Sequence, residues 1–244
     1  MAIVKGGRTV YGHDIGILML DTTCPRPVGD VGNARTWPFP VLYKVVQGAD
    51  TSRIMGSEPD PTLLAPFIEG AQELEAMGVK AITTSCGFLS VFQREMQARV
   101  GVPMITSALL QVPLAARLVG PGRKVGILTE RPHLTDRHFL GMGWLPEEYD
   151  IVVSSMPDDA VFPQVYIDQA VVADAGVLEA ELVALARRQV DEHSEVGAIV
   201  LECTNFVPWG KAMRQATGRP IFDLYSLVTS VHQSVVGRGL GSVV

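Results

Sequence analysis

An internal repeat constrains the fold of this 244-residue chain more than any local pattern does. Residues 79–86 end at Cys86 and resemble residues 196–203, which end at Cys203, at an offset of 117 residues. The same offset then holds without a gap, so the chain is predicted to consist of two similar halves. Four further pairs keep the offset: Met96 and Met213, Gly101 and Gly218, Pro103 and Pro220, and Gly120 and Gly237.

The two halves also begin alike, because residues 15–18 resemble residues 125–128 at an offset of 110. The shorter offset indicates an insertion of loop size between the two matched segments. Each half contains apolar strands that alternate with helices, and the amphipathic helices are predicted over 62–77 and 177–193. Such alternation is typical of parallel sheets that helices cover on both faces.

The predicted fold class is therefore α/β, with two similar lobes, each a parallel sheet flanked by helices, and the active site in the cleft between them. The first lobe is expected to span residues 1–115 and the second lobe residues 116–223. A C-terminal helix over 224–244 is expected to pack back on the first lobe.

Two of the three cysteines fall where such a fold binds ligands. Cys86 and Cys203 each follow an apolar strand and precede a helix, and ligands of parallel sheets bind beyond the carboxyl ends of the strands. Free amides at a helix start stabilise a thiolate and attract a carboxylate. Cys24 has no counterpart in the second half, and it is interpreted as incidental.

Two opposed thiols can invert a carbon acid, because one removes a proton from one face while the other returns a proton to the opposite face. The backbone amides of Gly87, Phe88, Thr204 and Asn205 can hold the substrate carboxylate and stabilise the charge that develops beside it. These residues predict a carboxylate site between Cys86 and Cys203.

The motifs Thr-Ser-Cys-Gly-Phe at 84–88 and Glu-Cys-Thr-Asn at 202–205 resemble the paired cysteine motifs of the aspartate/glutamate/hydantoin racemase superfamily. The resemblance covers nearly the whole chain, including the lobe-opening segments 17–22 and 126–130. It implies a cofactor-independent racemase or epimerase that inverts a carbon alpha to a carboxylate or amide carbonyl, with Cys86 and Cys203 as catalytic residues. Gly87-Phe88 and Asn205 depart from the motifs of glutamate racemases, which disfavours an acidic amino acid as substrate.

The candidate substrate-binding residues follow the two motifs and the lobe-opening strands. Asp21 and Glu130 are either substrate contacts or caps of backbone amides. Glu202 either raises the pKa of the neighbouring thiol or marks a solvated strand end. The full set is Asp21, Thr22, Asn33, Ser85, Gly87, Phe88, Thr129, Glu130, Thr204 and Asn205.

Two other functions stay open. One is a cis–trans isomerase or decarboxylase of a dicarboxylic acid that uses a single thiol. The other is a protein that binds a carboxylate without chemistry. In each case the expected partner is a small-molecule carboxylate, and a homo-oligomer is possible.

Composition excludes several classes of function. The formal net charge of −6 and the lack of long single-sign runs argue against binding to nucleic acid or to a membrane surface. Three distant cysteines without a CxxC motif predict neither disulfides nor a metal site. No glycine-rich phosphate motif is present, so no cofactor is expected. Without an apolar leader or spanning segment, the protein is expected to be cytoplasmic.

Overall fold

A computed structural model describes residues 3–4, 6–56 and 58–237, and contains two sheets of four parallel strands each. The strand orders are β2-β1-β3-β4 and β6-β5-β7-β8, so the two halves have the same topology. This confirms the predicted α/β fold with two similar lobes. The strands are β1 Ile15–Leu20, β2 Val41–Val46, β3 Ala81–Thr84 and β4 Met104–Ile105 in the first sheet, and β5 Lys124–Thr129, β6 Ile151–Ser155, β7 Val196–Leu201 and β8 Ile221–Phe222 in the second.

Helices connect the strands of both sheets. The α-helices are α1 Thr51–Ile54, α2 Leu64–Met77, α3 Gln93–Gln97, α4 Val112–Val119, α5 Asp136–Gly141, α6 Val161–Tyr166, α7 Ala175–Glu192, α8 Gly210–Thr217 and α9 Leu224–Val236. Helix α7 begins earlier than predicted, because the Asp174 side chain accepts hydrogen bonds from the first free amides. In the part of the chain that the structure describes, no helix is both long enough and apolar enough to cross a bilayer.

The repeat extends to the details of each lobe. Cys86 is followed by the 3-10 helix Gly87–Phe92, and Cys203 is followed by the 3-10 helix Thr204–Trp209, again 117 residues later. The predicted α-helices after the cysteines therefore begin as 3-10 helices and continue as the shorter α3 and α8. The change from offset 110 to offset 117 falls between the second and third strands of each lobe, where α7 has 18 residues and α2 has 14.

One apolar core joins the two lobes. It contains Ile17 of β1, Ile127 of β5, and side chains of α4 and α9. Helix α4 spans the predicted boundary at 115/116 and contacts β5 and β7, whereas α9 contacts β3. Residues 238–244 of the predicted C-terminal helix lie outside the described residues.

The outer faces of the sheets are covered separately, the first by α2 and α3 and the second by α7 and α8. The carboxyl ends of the central strands are thereby left to form a site between the lobes.

Candidate active site

A small cavity lies at the carboxyl ends of the central strands, with walls from both lobes. Its volume is about 20 Å³, enough for one or two water molecules. Both repeated cysteines line it, as the sequence predicted. The first lobe contributes Leu20, Thr22, Cys24, Arg26, Thr51, Met55, Ser85, Cys86, Gly87 and Phe88, and the second contributes Glu130, Tyr166, Glu202, Cys203, Thr204 and Asn205.

The two cysteine motifs contact each other directly. Thr204 Oγ1 donates a 2.6 Å hydrogen bond to the Ser85 carbonyl, and Ser85 Oγ accepts one of 2.9 Å from the Leu20 amide. Gly87 packs against both the carboxyl group and the backbone carbonyl of Glu202, so closely that a Cβ at position 87 would lie under 3.0 Å from them. Glycine at position 87 therefore permits the two motifs to meet.

Cys86 has a largely apolar environment. Its sulfur lies 3.9 Å from Met55 Sδ, and the Phe88 and Leu89 amides lie near it. Burial raises the pKa of the Cys86 thiol, the charge of Glu202 raises it further, and the two amides only partly oppose this increase.

Cys203 differs from Cys86 because a carboxyl group contacts it. Cys203 Sγ donates a 3.4 Å hydrogen bond to Glu130 Oε2. Burial raises the pKa of this thiol well above its usual range, and the charges of Glu130 and Glu202 raise it further. The Asn205 amide lowers the pKa, but by less. Both thiols are therefore protonated at neutral pH in the unliganded protein. The expectation that helix ends stabilise a resting thiolate is not met, because burial outweighs the amides.

Two buried carboxyl groups lie beside the thiols. Burial raises the pKa of Glu130 to about 8, with a further increase from the charge of Glu202. Burial also raises the pKa of Glu202 to about 7, although Thr129 Oγ1 donates a 2.7 Å hydrogen bond to its Oε2. Among the described residues neither Oε1 atom has a hydrogen-bond partner. Nor do any three histidine, cysteine or acidic side chains in those ranges form a group that could hold a metal ion.

Arg26 and Tyr166 are cavity residues that the sequence did not reveal. Arg26 forms a 2.9 Å ion pair with buried Asp30, and it donates hydrogen bonds to Thr22 Oγ1 at 2.8 Å and to Asn205 Oδ1 at 3.3 Å. The Tyr166 hydroxyl is buried and has no hydrogen-bond partner within the described ranges. Burial raises the pKa of Tyr166, so its hydroxyl keeps the proton that it can donate. Arg26 lies in the loop after β1 and Tyr166 is the last residue of the short helix α6, and neither belongs to the segments that the repeat matched.

Three of the predicted binding residues lie outside the cavity walls. Asp21 is exposed and accepts a hydrogen bond from the Gly48 amide, so it acts as a loop cap. Asn33 caps a short 3-10 helix and donates to the backbone carbonyl of Arg26. Thr129 lies behind the wall, where it contacts Glu202. Cys24, by contrast, was interpreted as incidental, but its side chain lines the cavity.

Curated relatives point to a class of reaction. No protein-family model matches the chain. A dimethylsulfoniopropionate lyase of Durusdinium sp. clade D is 27% identical over 216 residues, which cover 86% of this chain and 70% of that protein. Dimethylsulfoniopropionate lyase 7 of Emiliania huxleyi (strain CCMP1516) is 27% identical over 217 residues, which cover 86% of this chain and 63% of the relative. The chain thus spans about two thirds of the length of these relatives.

Solved structures with the same fold include decarboxylases and racemases. A Gly74Cys mutant of arylmalonate decarboxylase matches with a TM-score of 0.62 at 16% identity, covering 93% of this chain and 94% of that one. Allantoin racemase from Klebsiella pneumoniae gives 0.61 at 16% identity, with 93% and 89% coverage. Glutamate racemase from Francisella tularensis subsp. tularensis SCHU S4 gives 0.56 at 15% identity, with 95% and 85% coverage. These likenesses show that the chain shares the two-lobed fold of these enzymes.

The prediction of a racemase or epimerase is contradicted by the relatives, whose names describe lyases and not isomerases. The predicted alternative agrees better with them, because a decarboxylase is itself a lyase. The racemase was predicted because two thiols are present. The same fold and the same acid–base groups can, however, serve reactions that invert a carbon or that cleave a bond beside it.

Proposed function

We propose that this protein is a lyase that removes the proton alpha to a carboxylate and expels a leaving group from the beta carbon, with dimethylsulfoniopropionate as the candidate substrate. The observation that carries the proposal is the similarity to dimethylsulfoniopropionate lyases over 86% of the chain. The finer assignment, with thiols as the acid–base groups and no cofactor, is part of the same proposal.

The reaction needs only one base. In dimethylsulfoniopropionate the carboxylate carbon is joined to Cα, and Cβ carries the positively charged sulfur. A thiolate takes a proton from Cα, the electron pair of that bond forms the Cα–Cβ double bond, and the Cβ–S bond breaks. Dimethyl sulfide leaves with the electrons of the C–S bond, acrylate remains, and the proton stays on the cysteine. No electrons are exchanged with another molecule.

The cavity offers groups for both ends of such a zwitterion. Arg26 and the Tyr166 hydroxyl can hold the substrate carboxylate, and the amides of Phe88 and Asn205 lie beside the two thiols. The carboxyl groups of Glu130 and Glu202 can supply negative potential for the sulfonium to the extent that they are ionised. The cavity is smaller than this substrate, so binding requires the cavity to widen.

The test supplies the purified protein with dimethylsulfoniopropionate, measuring dimethyl sulfide by gas chromatography and acrylate by liquid chromatography. We expect the two products in equal amounts, and we expect the double variant Cys86→Ser, Cys203→Ser to form neither. Glu73→Gln is the control, since Glu73 forms an exposed ion pair with Lys44 far from the cavity. Failure of the wild-type protein to form either product would refute the proposal, and release of carbon dioxide from an arylmalonate would favour a decarboxylase.

A further inference from the structure

The repeat makes the two cysteines equivalent in sequence, but their surroundings differ in one chemical respect. Cys203 Sγ contacts a carboxylate oxygen of Glu130 at 3.4 Å. The side-chain atom that approaches Cys86 Sγ is the thioether sulfur of Met55 at 3.9 Å, and a thioether does not take up a proton in water. An elimination needs one base, whereas inversion at a carbon needs one on each face.

We infer that Glu130 accepts the proton of the Cys203 thiol, and that Cys203, not Cys86, is therefore the base of the elimination. The inference rests on the proposed function for its substrate. Glu130 directly follows β5, and its side chain is buried, with Oε2 on the sulfur and Oε1 unpartnered among the described residues. A buried carboxyl oxygen without a hydrogen-bond partner lowers the stability of the folded protein, and such groups often have a function.

The proton steps balance without a further reactant. The thiol proton of Cys203 moves to the Glu130 carboxylate, which leaves a thiolate and a neutral carboxyl group. The thiolate then takes the Cα proton as the C–S bond breaks, so both groups are protonated once the products form. One proton must leave to solvent to restore the start, which matches the single proton that the overall reaction releases.

The environment strengthens the proton affinity of the carboxyl group that contacts Cys203. Burial and the like charge of Glu202 raise the pKa of Glu130 to about 8, so it holds a proton far more strongly than an exposed glutamate. The titratable and charged groups that face Glu130 are Cys203, Glu202, Arg131, Cys24 and Cys86. The hydrogen bond from Cys203 and, to a smaller extent, the charge of Arg131 lower the pKa of Glu130, whereas burial and the charge of Glu202 raise it.

The test follows alkylation of each cysteine by iodoacetamide from pH 6 to pH 10, with the modified peptides resolved by mass spectrometry. In the wild-type protein the Cys203 rate should rise, level off above about pH 8 once Glu130 is ionised, and rise again when the second proton leaves. In Glu130→Gln the plateau should be lost, and the rate should increase about tenfold per pH unit throughout. Cys86 is the internal control, because its profile should keep the same shape in both proteins.

Further variants keep the test decisive. Glu130→Gln should lower kcat/KM at pH 7 on the order of a hundredfold or more, and Glu130→Asp should restore part of that loss with the same pH inflection. If Glu130→Gln does not fold, Glu202→Gln should move the Cys203 plateau to lower pH, because it removes the like charge. An unchanged Cys203 profile in Glu130→Gln, or no shift in Glu202→Gln, would overturn the role of Glu130. Absence of lyase activity would refute the proposed function instead, since the alkylation profile needs no substrate.

Discussion

Replacing Glu202 by glutamine should change the stability of the protein in a way that depends on pH. Glu202 is 1% exposed, and burial raises its pKa from 4.5 to about 7. A carboxyl group with a raised pKa in the folded state stabilises that state fully below the unfolded pKa, and this contribution is lost as the pH rises through the folded pKa. The wild-type protein should therefore lose stability from this group as the pH rises from about 4.5 to about 7.

The size of the effect follows from the shift in pKa. Each pKa unit corresponds to about 1.4 kcal/mol, so a rise from 4.5 to about 7 corresponds to a loss on the order of 3 kcal/mol. Glutamine has the same shape as the neutral carboxyl group and still accepts the hydrogen bond from Thr129. Glu202→Gln should therefore exceed the free energy of unfolding of the wild-type protein by less than about 1 kcal/mol near pH 5 and by about 3 kcal/mol near pH 8.5.

Urea unfolding at pH 5 and pH 8.5 measures this difference. The control Glu73→Gln should differ from the wild-type protein by less than about 1 kcal/mol at both values, because its ion pair is exposed. If the difference between Glu202→Gln and the wild-type protein were the same at both pH values, Glu202 would not titrate between them, and the electrostatic description of the site would be wrong.

Two further predictions concern the walls of the cavity. Gly87→Ala should lower the free energy of unfolding by about 1–3 kcal/mol and abolish most of the activity, because the added Cβ would collide with the Glu202 backbone. The control is Gly210→Ala, whose Cβ would have ordinary contacts of at least 3.5 Å. This control should change neither stability nor activity in the same urea and turnover assays. Arg26→Lys should raise KM roughly tenfold with a smaller effect on kcat, because lysine cannot bind a carboxylate with two parallel hydrogen bonds. The control is Arg35→Lys, because Arg35 is exposed. If steady-state kinetics gave the same KM for Arg26→Lys and the wild-type protein, Arg26 would be excluded as a carboxylate ligand.

The sequence was sufficient to predict the fold and the position of the two thiols. Buried parallel strands leave continuous apolar runs, and a repeat shows which runs are equivalent, so Cys86 and Cys203 could both be assigned to strand ends. The glycine and polar residues next to them followed from the same register. These features depend on the local pattern of apolar and polar residues, which can be identified in the sequence.

The remaining features of the site depend on tertiary contacts. Arg26 reaches the cavity from the loop after β1, and Tyr166 reaches it from the end of the six-residue helix α6, which is too short to show a clear periodicity. The effect of Glu202 on the thiol pKa was predicted correctly, but the stabilisation of a thiolate by the helix ends was overestimated, because helix position is a local property whereas burial by the other lobe is not. The difference between Cys86 and Cys203 comes from Glu130, which lies more than 70 residues before Cys203 in the sequence. The class of reaction depends on the substrate's leaving group, which the two motifs do not encode.

A comparison of Cys203→Ala and Cys86→Ala with dimethylsulfoniopropionate as substrate tests the central claim most directly. With dimethyl sulfide and acrylate both quantified, Cys203→Ala should lower kcat/KM by about 10²–10⁴, the usual contribution of a general base, and Cys86→Ala should have a clearly smaller effect. Equal losses in the two variants, or a larger loss in Cys86→Ala, would contradict the assignment of Cys203 as the single base of an elimination.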